Sequence, residues 1–168
     1  ALQEEWRMLR EYRASWAGAP YPPVFVTVDA LLRCQGQVLL IRRGHAPGKG
    51  LWALPGGFVE PNDTLWQSCL RELAEETHCP LPEERLRAAL RGQQVFDHPQ
   101  RSQRGRVITQ AYFIDLSDDT LPPVRGGDDA AHAEWVPQER LAGMEDQFHD
   151  DHWHILDQFL GLKAPLND

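Results

Sequence analysis

Apolar side chains recur at helical spacing at Leu2, Trp6, Leu9, Tyr12 and Trp16 with charges between them, which predicts an amphipathic helix over residues 2–16. It ends before Gly18-Ala19-Pro20-Tyr21-Pro22-Pro23, where the prolines forbid helix and favour an extended linker. From Val24 the pattern changes to alternation. Val24, Val26, Val28 and Ala30 fall on one face and Phe25 and Leu31 on the other, the signature of a strand partly buried on both sides. Arg33-Cys34-Gln35-Gly36 predicts the turn of a hairpin into a second strand over 37–42. A glycine-rich, basic loop over 44–50 leads to a short strand at Trp52-Ala53-Leu54 and then to the pair Gly56-Gly57, a place for unusual backbone angles or a close ligand.

Thr64 with Gln67 three residues later forms a capping-box pattern and predicts a helix over 64–77, stopped by Pro80. Strands are expected over 86–97, 107–116 and 133–136, with a basic connection over 98–106. A short helix over 138–142 and a terminal helix over 148–162, with Trp153, Leu156, Phe159 and Leu160 at core spacing, complete the reading. Interleaved strands and helices indicate an α/β protein with a mixed sheet flanked by helices.

Composition narrows the function. A chain of 168 residues fits one domain. Seventeen Lys and Arg against twenty-five Asp and Glu give a net charge of −8, which argues against a surface that gathers nucleic-acid phosphates. An anionic ligand would therefore need a local cationic pocket or a metal. Cys34, Cys69 and Cys79 show neither paired spacing nor zinc-ligand spacing, so a reducing cytoplasm is the expected compartment. No apolar run reaches the roughly 20 residues of a membrane span, and no membrane partner is expected.

The chemistry concentrates on the helix over 64–77. Glu72, Glu75 and Glu76 stand at i, i+3 and i+4 and share one arc, while Trp66, Cys69, Leu70 and Leu73 occupy the neighbouring one. Like charges at this spacing destabilise a helix by a few tenths of a kcal/mol. A hard divalent cation, Mg²⁺ or Mn²⁺, would relieve that repulsion. Arg71, four residues before Glu75, can hold a carboxylate in orientation. The plainer alternative is a solvated acidic face.

Residues 57–79 decide between them: Gly57, five residues, Asp63, seven residues, then Arg71-Glu72-Leu73-Ala74-Glu75-Glu76-Thr77-His78-Cys79. This resembles the signature box of the Nudix hydrolases. Asp63 stands where that family has glutamate, and His78 where it has the glycine that ends the helix in a left-handed conformation. The resemblance implies an α/β/α sandwich with a mixed sheet. It implies cleavage of a nucleoside diphosphate linked to another group, with Glu72, Glu75, Glu76 and the Gly56 carbonyl holding the metal. A base from a later loop is also implied; Gly126-Gly127-Asp128-Asp129 matches that loop, so Asp128 and Asp129 join the carboxylates as catalytic candidates, the alternative being an ordinary acidic turn.

A wider resemblance, through 19–30, Phe96-Asp97-His98-Pro99, Arg101-Ser102, Arg104-Gly105-Arg106 and Asp128-Asp129-Ala130, is to the Nudix domains of bacterial bifunctional nicotinamide mononucleotide adenylyltransferase/ADP-ribose pyrophosphatases. It implies hydrolysis of ADP-ribose to AMP and ribose 5-phosphate. The chain is then expected to comprise a helix and linker over 1–18 and a Nudix domain over 19–168, as a stand-alone relative or the C-terminal half of a bifunctional protein. The alternatives are another nucleoside-diphosphate derivative as substrate, or a non-catalytic ADP-ribose sensor. Arg101, Arg104 and Arg106 offer forked donors to phosphate or ribose, and Phe96 a face to adenine. Of Arg42 and Arg43, one should face inward; Arg42, Trp52 and Arg71 are carried as further substrate contacts, with core packing the commoner role for Trp52. His149-Asp150-Asp151-His152 has the composition of a metal site, yet Asp150 and Asp151 also suit the first turn of the last helix, and capping is the expectation. The N-terminal helix, with Trp6 and Leu9, is expected to meet a second subunit or an adenylyltransferase domain.

Overall fold

The computed structural model describes residues 2–163, so the tail of the expected domain, 164–168, lies outside the described residues. Strand β1 (Val24–Cys34) is the axis. It pairs in parallel with β6 (Arg106–Leu116) along its whole length, and antiparallel with both β2 (Gln37–Arg43) and β4 (Gly56–Phe58) on its other edge. β5 (Leu90–Phe96) extends the sheet beyond β6, while β3 (Trp52–Ala53) and β7 (Ala130–Pro137) both join β2. Parallel and antiparallel pairs thus coexist in one seven-stranded sheet. The β1–β2 turn places Gln35 and Gly36 at φ 53° and 68°, the double left-handed geometry that matches the twist of a two-residue hairpin.

Strand alternation builds two cores. Val28, Ala30 and Leu32 of β1 pack with Leu39, Tyr112 and Ile114 beneath helices α2 (Leu65–Thr77) and α3 (Glu83–Ala88), through Cys69, Leu73 and Leu86. Leu31, Val38, Leu40, Ala111 and Val136 face the opposite way, against Leu141 of α4 (Gln138–Leu141) and Trp153, Ile155 and Leu156 of α5 (His152–Leu160). Helices on both faces of a mixed sheet make the expected α/β/α sandwich. Val24 and Val26, at the entrance to β1, remain exposed.

Three expectations need correction. The segment over 86–97 is not one strand: residues 83–88 are helical, with Glu83 and Glu84 at the positive end of the dipole, Arg85 and Arg87 at the negative end, and an i,i+4 pair between Glu83 and Arg87 at 2.8 Å. The terminal helix starts at His152 rather than 148, because Phe148 is extended and Asp150 has φ 46°. Its N-cap, Asp151, makes no capping bond; both carboxylate oxygens accept from Arg101 instead, at 2.9 and 2.7 Å.

The N-terminal helix α1 (Leu2–Trp16) docks on its own sheet. Tyr12 and Trp16 meet Phe25 edge-on, and Arg13 donates to the Gln103 carbonyl at 2.7 and 3.1 Å. Leu2 and Trp6 stay exposed. No described helix is long and apolar enough to cross a membrane.

Helix α2 carries the chemistry, and its start is fixed reciprocally: Gln67 N–H donates to Thr64 Oγ1 at 3.1 Å, and Thr64 N–H to Gln67 Oε1 at 2.8 Å. Thr64→Ala should remove the first of these bonds and destabilise the protein by about 1 kcal/mol, lowering the melting temperature by about 2–4 °C in a thermal melt.

Candidate active site

Helix α2 ends at His78, which adopts φ 55°, donates its N–H to Ala74 O at 2.9 Å and sets Nδ1 3.1 Å from Arg125 O. The left-handed stop expected of glycine is thus made by a histidine, its ring tied to the loop that follows. That loop packs hard on the helix. A Cβ at Gly127 would lie 2.3 Å from His78 Cε1 and 2.6 Å from Glu75 O, so only glycine lets the chain come this close. The next residue, Asp128, at φ 52°, then reaches the helix's acidic edge.

Glu72, Glu75 and Asp128 each bring a carboxylate oxygen within 4.8 Å of the others. Glu76 lines the same cavity but is buried, and its Oε1 accepts the Gly56 N–H at 2.7 Å. Glu72, Glu75 and Glu76 thus share one cavity, where Asp128 joins the first two and the Glu76 carboxyl also locks helix to sheet. Arg71 gathers the group, with Nη1 3.0 Å from Glu72 and 3.3 Å from Glu75 and Nε 3.5 Å from Asp63. Its guanidinium lines the cavity but is already surrounded by carboxylates.

Burial pushes the Glu72 carboxyl up to about 7, against the pull of Arg71, and pushes Glu76 up to about 9 despite the Gly56 bond. Asp29, fully buried on β1, is also raised by burial; its Oδ2 accepts from Thr109 Oγ1 at 2.6 Å. One arginine does not neutralise this many carboxylates. The donor set is all hard oxygen and partly desolvated, which fits Mg²⁺ or Mn²⁺ rather than a soft metal.

These residues floor a cavity of about 520 Å³, within the range of small-molecule sites. Cationic side chains line the same cavity: Arg43, Arg101 and Arg104. Arg101 is engaged by Asp151, whereas among the described residues no carboxylate pairs with Arg104. Of the neighbours at the end of β2, Arg43 turns inward with Ile41, while Arg42 stacks 4.0 Å over Trp52 on the outside. Trp52 and Phe96 are buried in the core, and Arg106 donates to the Asp97 carbonyl at 2.6 Å; like Arg42, these three do not line the cavity. Asp129 does, its Oδ1 3.4 Å from His45 Nε2.

Within the His-Asp run, His149 Nε2 lies 3.2 Å from Asp150, and His152 is committed to the backbone. His152 Nδ1 accepts the Leu54 N–H at 2.9 Å, and burial lowers its pKa to about 3, so the ring is neutral and carries its proton on Nε2, which faces Asp29 Oδ1 at 3.7 Å. Met8, Tyr12 and Phe58 also line the cavity, and sequence reasoning assigned none of them. Period-two parity with Ile41 was a signal for Arg43; nothing in the sequence signalled Tyr12.

The NUDIX domain profile matches residues 22–159, and the chain belongs to the Nudix family. It is 33% identical over 157 residues to the ADP-ribose pyrophosphatase of Methanocaldococcus jannaschii, covering 94% of this chain and 82% of that protein. Among solved structures it is similar to a bifunctional NMN adenylyltransferase/ADP ribose pyrophosphatase from Francisella tularensis, complexed with AMP and a manganese ion, with TM-score 0.91 and 39% identity over 94% of this chain. The chain spans about half of that protein, 47%. It is also similar to the NUDIX domain of Shewanella oneidensis NrtR in complex with ADP ribose, with TM-score 0.66 and 28% identity, covering 89% of this chain and 95% of that one.

The raised carboxyls make a pH prediction for the metal-free protein. Glu76 holds a proton in the folded state up to about pH 9 but releases it near 4.5 when unfolded, so folding binds a proton across that interval and stability falls as pH rises. The neutral His152 acts oppositely but only below its unfolded value of 6.5. Between pH 6.5 and 9 the melting temperature without metal should therefore fall, Glu76→Gln should flatten the slope, and a divalent cation should counter it by binding the ionised carboxylates.

Proposed function

We propose that this protein is a divalent-metal-dependent pyrophosphohydrolase that cleaves ADP-ribose, with water, into AMP and ribose 5-phosphate. The observation that carries the reading is the convergence of Glu72, Glu75 and Asp128 on the floor of a cavity that Arg43 and Arg104 also line. A diphosphate calls for both: a divalent cation to neutralise part of its charge and guanidinium groups for the remainder. The names of the similar proteins support the substrate, and the manganese in the Francisella complex supports the metal class.

Glu72, Glu75 and Asp128 would hold Mg²⁺ or Mn²⁺. Glu76 and Gly56, which line the same cavity, would join the ligand set once the Glu76 carboxyl ionises. Such a cation would supply charge neutralisation for the diphosphate and acidify the attacking water. Asp129, left outside the carboxylate trio yet lining the cavity, takes the proton from the attacking water. Arg71 orients Glu72 and Glu75, and Arg104 meets the diphosphate. The buried free thiols Cys34, Cys69 and Cys79 suit a reducing, cytoplasmic setting.

Product analysis tests this directly: incubation with Mg²⁺ and ADP-ribose, NAD, diadenosine polyphosphates and nucleotide sugars, with a chelator control, should yield AMP preferentially from ADP-ribose. No turnover of any of them, with ADP-ribose still raising the melting temperature, would replace the enzyme by a sensor. Glu72→Gln should raise the Mg²⁺ concentration needed for half-maximal rate by about a hundredfold or more. Asp129→Asn should lower kcat by about a hundredfold with little change in KM; an unchanged kcat would move the base elsewhere.

A further inference from the structure

One wall of the cavity comes from outside the family module. The profile match begins at residue 22, yet Met8 and Tyr12 of α1 line the cavity. Helix α1 is pinned near both ends to loops that border the same space. Glu5 accepts the Gly48 N–H on both carboxylate oxygens, at 2.9 and 3.0 Å, and Arg13 donates to Gln103 O. It is a fixed wall and not a loose tail.

On that wall Tyr12 faces the sheet's aromatic side chains. Its ring lies within 19° of parallel to Phe58 with centroids 6.4 Å apart, and both rings meet Phe25 edge-on. At 6.4 Å the two are not in full face contact, since stacked carbon atoms lie about 3.5 Å apart; ring face is left for a planar ligand. Arg104 holds its guanidinium 5.1 Å from the Phe58 centroid. Phe58 follows Gly57, whose Cβ position lies 2.6 Å from Glu72 Oε1, so the rings adjoin the carboxylates. Aromatic faces beside a cation, next to a site for a divalent metal, match a nucleoside diphosphate whose base stacks while its phosphates reach the metal. Phe96, the sequence's candidate for this role, is buried in the opposite core.

We propose that Tyr12, with Phe58, is the stacking platform for the nucleobase, so that helix α1, outside the residues of the family profile, takes part in selecting the base. This rests on the nucleotide reading above. It deepens that reading by naming the residue that sets base preference and by making α1 part of the active site.

The test is titration calorimetry with AMP and CMP, which carry a base but no diphosphate to cleave, on wild type, Tyr12→Phe and Tyr12→Leu. Wild type should bind AMP more tightly than CMP, the purine offering more stacking area. Tyr12→Leu keeps apolar volume but removes the ring, and should weaken AMP about tenfold while bringing AMP and CMP within about twofold of each other. Tyr12→Phe should restore the preference. With ADP-ribose the Leu variant's loss should fall on KM rather than kcat. Unchanged AMP affinity in Tyr12→Leu, equal losses for AMP and CMP, or no AMP binding by wild type overturns the platform. Wild-type turnover of ADP-ribose, measured on the same preparation, judges the functional reading separately: AMP bound with base preference but no turnover sinks the enzyme and leaves the platform standing.

Discussion

The hydrogen bond from the Gly56 N–H to Glu76 ties the acidic helix to the sheet, and the rest of the site is arranged around it. It demands glycine at 56, because a Cβ there would lie 2.1 Å from the Val28 carbonyl and 2.5 Å from Asp29 Oδ1. It also draws a carboxyl into a place where burial favours the neutral form. Once Glu76 is inward, helical geometry puts Glu72 and Glu75 at the adjoining rim, where they face the loop carrying Asp128. Such an arrangement is poorly stable by itself, since like charges crowd in partly desolvated surroundings. Arg71 relieves part of the repulsion by touching three of the acids at once. The remainder is what a divalent cation would relieve on binding, since it is repulsion built into the folded state.

The chemistry of this site was largely legible in the sequence because it is local. A capping box, four charged positions and a helix stop lie within 15 residues, and α-helical periodicity converts their spacing directly into geometry. The family resemblance supplied the fold for the same reason. The strand parity of β1 and β2 also held through the two cores, since period-two burial needs only alternation. What was not legible depends on contacts between distant segments. Asp151 looked like a helix cap and became the partner of Arg101, 50 residues away, because a buried guanidinium draws a carboxylate more strongly than an exposed helix end does. Phe96 was read as a face for adenine, but like Trp52, for which core packing was the commoner expectation, it is drawn into the core within reach. Which of Arg42 and Arg43 turns inward was left open, with Arg42 carried as the substrate contact, although parity with Ile41 favoured Arg43.

The Arg101–Asp151 pair shows how recognition can be built from scaffolding. Arg101 side-chain exposure is 3%, and breaking a pair so buried would leave an uncompensated charge. Its value lies in fixing the 98–105 loop against the start of α5. That places Arg104 over Phe58 and presents the Gln103 carbonyl that receives Arg13 of α1. Arg104, which has no carboxylate partner among the described residues, is thereby held at the cavity by a neighbour paired with Asp151.

The site therefore divides along the chain. Residues 56–78 and the 126–129 loop supply the carboxylates to which the proposed hydrolysis is assigned. The α1 helix, the end of β2 and the 98–105 loop supply the cavity's cations and aromatic faces, and they are joined only by long-range hydrogen bonds and ring contacts. The two sets meet at the short strand β4, where a Cβ at Gly57 would lie against Glu72 and Phe58 faces Tyr12, and just beyond β2, where the Gly44 N–H donates to the Asp129 carbonyl; substitutions in the second set away from these contacts can change the ligand preference while leaving the first set in place. A fold with that separation can keep one acidic site and alter its ligand by exchanging loops and a helix, because the residues that would meet the ligand's other parts stand on segments distant in sequence from the carboxylates.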